Sequence, residues 1–120
     1  MLTDTHSHLD FSNYLEDLKD VLDRAKSSGI GRILNPGIDI TSSQNAVSLA
    51  EQHASIFAGI GIHPNEALSW NDKSLEYLKD LASHSKVKAI GEIGLDYYRD
   101  HSPRDLQEQV FLQQLALAGE

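Results

Sequence analysis

Two histidines, His6 and His8, stand one residue apart near the start of the chain. Residues 1–5 are predicted to form a short strand, and side chains two positions apart on extended backbone point the same way. Two converging imidazoles suit Zn, Mn, Fe or Ni better than Mg. Asp4 has the same parity and could orient one of the rings. Ordinary polar loop residues are the alternative interpretation, and the position directly after a strand favours a metal site.

A third histidine, His63, follows the apolar run 56–60 in the segment GIGIHP. Its glycines allow the backbone to bend tightly, and Pro64 fixes the turn behind the histidine. We expect His63 to lie at the same end of the sheet as His6 and His8, where it could contact a phosphate. A loop histidine that only fills a turn is the alternative.

A carboxylate, Glu92, follows the apolar run 87–90 in the segment GEIGLDYY. At the end of a strand it could bridge two metal ions, which makes it both a candidate metal ligand and the candidate catalytic residue. Asp96, Tyr97 and Arg99 lie on the loop that follows, and we predict that they bind substrate. A strand-end glutamate that points into water is the alternative for Glu92.

The elements that must position these residues alternate along the chain. Strands are predicted at residues 1–5, 30–34, 56–60 and 87–90, and helices at 14–28, 41–53, 72–84 and 103–117. Four βα units without hairpin signals predict a parallel sheet with right-handed crossovers. Such sheets place their sites at the carboxyl ends of the strands. Asp39 or Thr41 is expected to cap the second helix, and Ser102 the fourth, with Pro103 at its first position.

Composition limits the classes of function. The 120 residues suffice for one small domain, and no apolar run is long enough to span a membrane. The absence of cysteine excludes disulfides, thiolate metal sites and cysteine nucleophiles, and together with the lack of a secretory signal it favours the cytoplasm. A net charge of −8 argues against a long basic groove for nucleic acid. It does not argue against a metallohydrolase, because bound cations attract phosphate.

Four segments together resemble the TatD family of metal-dependent DNases: DTHSHLD at 4–10, NPG at 35–37, GIHP at 61–64 and GEIGLDY at 91–97. The resemblance covers the whole chain. It implies a TIM (β/α)8 barrel of the metallo-dependent hydrolase type, of which residues 1–120 would be the N-terminal half. It also implies hydrolysis of DNA phosphodiester bonds, often from the 3′ end. By this resemblance His6 and His8 would bind the first metal, and Glu92 would bridge two.

The resemblance further implies one or two divalent ions, Mg, Mn or Zn, with His63, Arg99 and Tyr97 positioning the phosphate. Members of the family carry further histidines after strands five and six and an aspartate after strand eight, which this sequence lacks. We therefore expect a truncated barrel that is catalytically inert by itself. It should self-associate through its open sheet edges. DNA is the expected partner, and no protein partner or membrane is predicted.

Two other hypotheses remain open. The first is a related amidohydrolase or phosphoesterase that acts on small molecules, since these enzymes can also begin with a His-x-His motif. They are not expected to carry GIHP followed by GEIGLDY. The second is a non-catalytic metal-binding fragment, which the missing half of the barrel and of its ligands would favour.

Overall fold

The computed structural model describes residues 1–120, in which strands and helices alternate. The strands are β1 (Leu2–Asp4), β2 (Ile30–Pro36), β3 (Ile56–Ile60) and β4 (Val87–Ile90), and the helices are α1 (Leu18–Ser27), α2 (Ile40–Gln52), α3 (Ser74–Ala82) and α4 (Arg104–Ala118). All neighbouring strands are parallel, in the order β1-β2-β3-β4. The prediction of four βα units around a parallel sheet is confirmed. None of the helices combines the length and apolar character needed to cross a membrane.

Several helices begin later than predicted. Before α1, Ser12–Tyr14 forms a short 3-10 helix. Before α3, a turn in which the Ser74 Oγ accepts from the Asn71 backbone N–H delays the first helical residue. The prediction for α4 was wrong in two respects. Pro103 has extended backbone, with ψ 138°, and lies just outside the helix. Ser102 does not cap it, because the Ser102 hydroxyl donates to the carbonyl of Asn65 instead.

Helix α2 has a reciprocal cap at its first turn. The Asp39 carboxylate accepts from the backbone N–H of Ser42 at 2.7 Å, and the Ser42 Oγ accepts from the backbone N–H of Asp39 at 3.0 Å. Of the two predicted candidates, Asp39 is therefore the cap. Such a cap contributes about 1 kcal/mol of stability, and here it also fixes the loop that leaves β2.

The hydrophobic core lies between the sheet and its helices. Its ten buried members come from β2, β3, all helices except α1, and the segment after His8: Ile33, Ile56, Ala58, Ile60, Ala46, Val47, Ala50, Leu78, Leu117 and Leu9. Because successive side chains alternate across a strand, the intervening residues lie on the opposite face of the sheet. That face carries Arg32, Leu34, Phe57 and Lys88, and no helix covers it. We call these four residues the open face.

The open face and the outer edges of β1 and β4 lead us to expect self-association of the 120-residue chain. Unpaired strand edges and exposed apolar surface favour contacts between copies. Sedimentation velocity should therefore show association that grows with protein concentration. Leu34→Asp on the open face should weaken it, whereas Leu112→Asp, on the exposed side of α4, should not. A chain that stays monomeric throughout would contradict this expectation.

Candidate metal centre at the carboxyl ends of the strands

The side chains of His6, His8 and Glu92 meet at one point. The His8 Nε2 lies 3.0 Å from the Glu92 Oε2, and the His6 Nε2 lies 3.6 Å from the same oxygen. The two imidazole Nε2 atoms are 3.2 Å apart. Each residue thus offers one ligand atom, and all three atoms lie within 4.8 Å of one another. The structure brings together the three residues that the sequence predicts as metal ligands.

The spacing and chemistry of this donor set fit a divalent ion. A tetrahedral ion with bonds of about 2.05 Å places neighbouring ligand atoms roughly 3.3 Å apart. Two imidazole nitrogens and one carboxylate oxygen are donors that Zn and Mn accept readily. The His8 Nδ1 is buried without a hydrogen-bond partner, so the Nε2 that faces Glu92 is the nitrogen with a polar neighbour.

Glu92 reaches the histidines because its backbone crosses the end of β3. Its N–H donates to the carbonyl of Gly37, which follows β2, at 2.9 Å. The residue of β3's trailing segment over which the backbone crosses, Gly61, must be a glycine. A Cβ at Gly61 would come within 2.9 Å of the Ile93 side chain and 3.1 Å of the Glu92 carbonyl oxygen. The close backbone approach at Gly61 therefore sets the path of the loop that carries Glu92.

Asp4 supports the histidine segment, but not as predicted. Its Oδ1 accepts from the backbone N–H of His6 at 3.0 Å, and its Oδ2 accepts from the hydroxyl of Ser7 at 2.8 Å. The carboxylate therefore holds the turn that carries both histidines and bonds to neither imidazole ring. The His6 N–H, followed by the Ser7 hydroxyl, lowers the pKa of Asp4.

His63 caps the short 3-10 helix Pro64–Ser69. Its Nδ1 accepts from the backbone N–H of Asn65 at 3.0 Å, and its own backbone N–H donates to the carbonyl of Ile38 at 2.8 Å. The ring is not one of the three clustered ligands. It does fill a turn, as the alternative interpretation held, while its Nε2 is not engaged in this cap. The predicted contact of His63 with phosphate stays a prediction.

Two polar side chains of the loop after Glu92 form hydrogen bonds within the chain. The Asp96 carboxylate accepts from the Arg99 backbone N–H at 2.9 Å and from the Asn65 side-chain amide at 3.1 Å. The first of these bonds is the largest cause that lowers the pKa of Asp96. The Tyr97 hydroxyl donates to Glu108 at 2.7 Å, and this bond raises the pKa of Tyr97.

Among the predicted substrate-binding residues of this loop, Arg99 is the one whose charged side chain remains available. It is exposed and forms no ion pair within the chain. The polar atoms of Asp96 and Tyr97 already have partners, so their direct contact with substrate stays a prediction. The bonds from Asn65 and Arg99 to Asp96 hold the loop in its position.

Two buried glutamines on α4 were missed by the sequence analysis. Gln114 forms a pair of hydrogen bonds with the backbone of Ile62: its Oε1 accepts from the N–H at 2.7 Å, and its Nε2 donates to the carbonyl at 3.0 Å. Gln107 accepts from the Asp96 N–H at 2.8 Å and donates to the Ser102 carbonyl at 2.9 Å. Both side chains are fully buried. They attach α4 to the loops that carry His63 and Asp96.

A third buried amide, Asn35, performs the same role at the histidine segment. Its Oδ1 accepts from the backbone N–H groups of Leu9 and Asp10, at 2.6 Å and 3.2 Å. Its Nδ2 donates to the Asp10 carboxylate at 2.9 Å. The side chain is fully buried, so it fixes the backbone directly after His8. The signal in the sequence was a polar residue at the end of an apolar strand.

Comparisons with known proteins agree on one family. The family model described as TatD related DNase matches residues 3–120. An uncharacterized metal-dependent hydrolase, YabD of Bacillus subtilis, is 44% identical over 120 residues, which are 100% of this chain and 47% of that protein. The 3′-5′ ssDNA/RNA exonuclease TatD of Cronobacter sakazakii is 36% identical over 109 residues, 91% of this chain and 41% of that protein.

A solved structure agrees with these sequence matches. The crystal structure of YJJV, a TatD homolog from Escherichia coli, superimposes with a TM-score of 0.89 at 34% identity. The match covers 98% of this chain and 46% of that one. The chain therefore spans about half the length of the relatives that it matches.

Replacing Gln114 by leucine should destabilise the chain. The change keeps an apolar volume but leaves the N–H and the carbonyl of Ile62 buried without partners, at a cost of about 1–3 kcal/mol. Urea unfolding should measure this loss as a lower free energy of unfolding. Gln109→Leu, at an exposed position of the same helix, should change it by less than about 0.5 kcal/mol. Equal stabilities for the two variants would contradict the role given to Gln114.

Proposed function

The chain belongs to the TatD-related DNase family of metal-dependent hydrolases, and from that premise we propose that it serves the hydrolysis of nucleic-acid phosphodiester bonds. The specific form that we propose is a deoxyribonuclease that acts from the 3′ end. Relatives named 3′-5′ ssDNA/RNA exonuclease support this form. The observation that carries the proposal is the cluster of His6, His8 and Glu92. A cytoplasmic location stays a prediction.

His6, His8 and Glu92 would hold the divalent ion. When bound, such an ion supplies positive charge that polarises a phosphoryl oxygen and neutralises charge on the leaving oxygen. Glu92 would also place its carboxylate close to both imidazoles, since its Oε2 lies within 3.6 Å of each Nε2. Two nitrogen donors favour Mn or Zn over Mg as the ion.

His63 is suited to bind the phosphate. Because its Nδ1 accepts from the Asn65 N–H, the proton of a neutral ring is on Nε2, which then donates. Arg99 offers an exposed guanidinium on the neighbouring loop. Together they would supply donors to the phosphate oxygens in a chain whose net charge is −8.

The alternatives predicted from the sequence differ in substrate. A small-molecule amidohydrolase or phosphoesterase would cleave an amide or a sugar phosphate in preference to DNA, and a metal-binding fragment would cleave nothing. A panel of single-stranded DNA, RNA, an amide and a sugar phosphate, each tested on the full-length gene product with Mg2+, Mn2+ and Zn2+, distinguishes them. Preference for a substrate without a phosphodiester bond would overturn the proposal.

The ligand assignment predicts that metal content and activity fall together. In the full-length gene product, His6→Ala or His8→Ala should lower hydrolysis of a single-stranded oligonucleotide by roughly 100-fold or more, since even the outer partners of metal ligands cost 10–100-fold. Elemental analysis should show less bound metal. His53→Ala is the matched control, because His53 follows α2 at the other end of the sheet. Normal metal stoichiometry in both variants would refute the assignment.

Glu92→Gln should separate catalysis from folding. The substitution keeps the size of the side chain and removes the charge that a bridging ligand needs. We expect severe loss of oligonucleotide hydrolysis, while the free energy of unfolding changes by less than about 1 kcal/mol. Glu76→Gln, on the exposed side of α3, should leave both quantities unchanged. A fully active Glu92→Gln enzyme would mean that the loop after β4 does not supply a ligand.

A further inference from the structure

An aromatic ring that does not belong to the core lies against the metal centre. The Phe11 ring stacks on the His8 ring, with centroids 4.7 Å apart and an interplanar angle of 13°. Its backbone N–H donates to the His8 carbonyl at 3.4 Å, which keeps the two residues in one turn. Phe11 belongs to neither hydrophobic cluster of the chain and remains 44% exposed. The ring is therefore only partly buried, and part of its apolar surface faces solvent.

The acidic net charge of the chain bears on what the Phe11 ring could contribute to binding. Proteins that bind nucleic acid usually gain most of their affinity from lysine and arginine contacts to phosphates. This chain has 10 such residues against 18 acidic ones. Arg104, the first residue of α4, is already engaged, since it pairs with Asp100 and lies over the Tyr97 ring. Stacking on an aromatic ring would add affinity that does not depend on these charges.

We propose that the exposed surface of the Phe11 ring is a stacking platform for a nucleobase adjoining the phosphodiester bond that is cleaved. This inference rests on the proposed function and assigns the part of the substrate next to the metal centre. Stacking on an aromatic ring tolerates every base, because each base has a π face. It also favours single strands, since the bases of a duplex are already stacked and paired.

A different role for Phe11 would be to hold the His8 ring in place. The two roles predict opposite results for leucine and tryptophan substitutions. Leucine fills much of the space against His8 but has no π face, whereas tryptophan keeps the aromatic surface. Under the stacking role, Phe11→Trp retains the substrate affinity, and Phe11→Leu loses it as Phe11→Ala does. Under the holding role, Phe11→Leu retains it.

The test compares two substrates of equal length and charge, oligothymidylate and a fully abasic strand, with the full-length gene product and added Mn2+. Phe11→Ala and Phe11→Leu should raise KM for oligothymidylate about tenfold, a modest effect for loss of a base–aromatic contact. Their kcat values and bound metal should stay near those of the unmodified protein. On the abasic strand the variants and the unmodified protein should have the same KM. Tyr77→Leu, at a similarly exposed aromatic residue of α3, is the matched control and should change nothing.

Three results would overturn the platform: a KM restored by Phe11→Leu, an equal loss on the abasic strand, or reduced metal content in Phe11→Leu. Each of these would assign the ring to the support of His8 while leaving hydrolysis itself intact. If the unmodified protein cleaves neither strand, the proposed function fails and the platform fails with it. That outcome is read from the unmodified protein alone, so it is distinct from the other three.

Discussion

Contact between the segments that follow the two outer strands, β1 and β4, is the constraint on which the site depends. Neighbouring strands lie about 4.8 Å apart, so a flat sheet would hold β1 and β4 roughly 14 Å apart. Yet the His8 Nε2 and the Glu92 Oε2 are separated by 3.0 Å. The loop after β4 closes this distance by crossing β3 and bonding to Gly37, which requires the absence of a side chain at Gly61. The cluster of His6, His8 and Glu92 thus depends on sheet curvature and on one glycine as much as on the three side chains themselves.

Buried amides keep the loops in that arrangement. The backbone groups that follow β1, β3 and β4 leave the sheet ladder near the site, and without partners they would be costly to bury. Asn35, Gln107 and Gln114 satisfy them with side chains that are themselves fully buried. Each amide both donates and accepts, so it fixes a loop in position and in orientation. A charged residue in these places would need a compensating partner.

The sequence predicted what depends on local pattern. Apolar runs and helical spacing predicted the order of strands and helices, and the positions of His6, His8 and Glu92 after predicted strands indicated that these candidate ligands lie at one end of the sheet. The missed contacts join distant residues: Gln114 bonds to Ile62, 52 positions away, and Asn35 to Leu9, 26 positions away. No periodicity encodes such pairs. Asp4 and Ser102 were misassigned because short polar side chains also bond to nearby or distant backbone groups, and the sequence does not rank these partners.

Different parts of the fold hold the two groups of candidate site residues. His6, His8 and Glu92 lie within four residues of the ends of β1 and β4, and bonds to Asp4, Asn35 and Gly37 hold their segments against the sheet. His63, Asp96 and Arg99 lie on segments whose position depends on hydrogen bonds to α4 and to one another. The Asn65 side chain joins these segments by donating to Asp96, while its backbone N–H donates to His63. A shift of α4 would therefore move His63 and Arg99 together, while His6, His8 and Glu92 would keep their positions. Metal affinity and substrate affinity can accordingly respond to different substitutions, because different parts of the fold determine them.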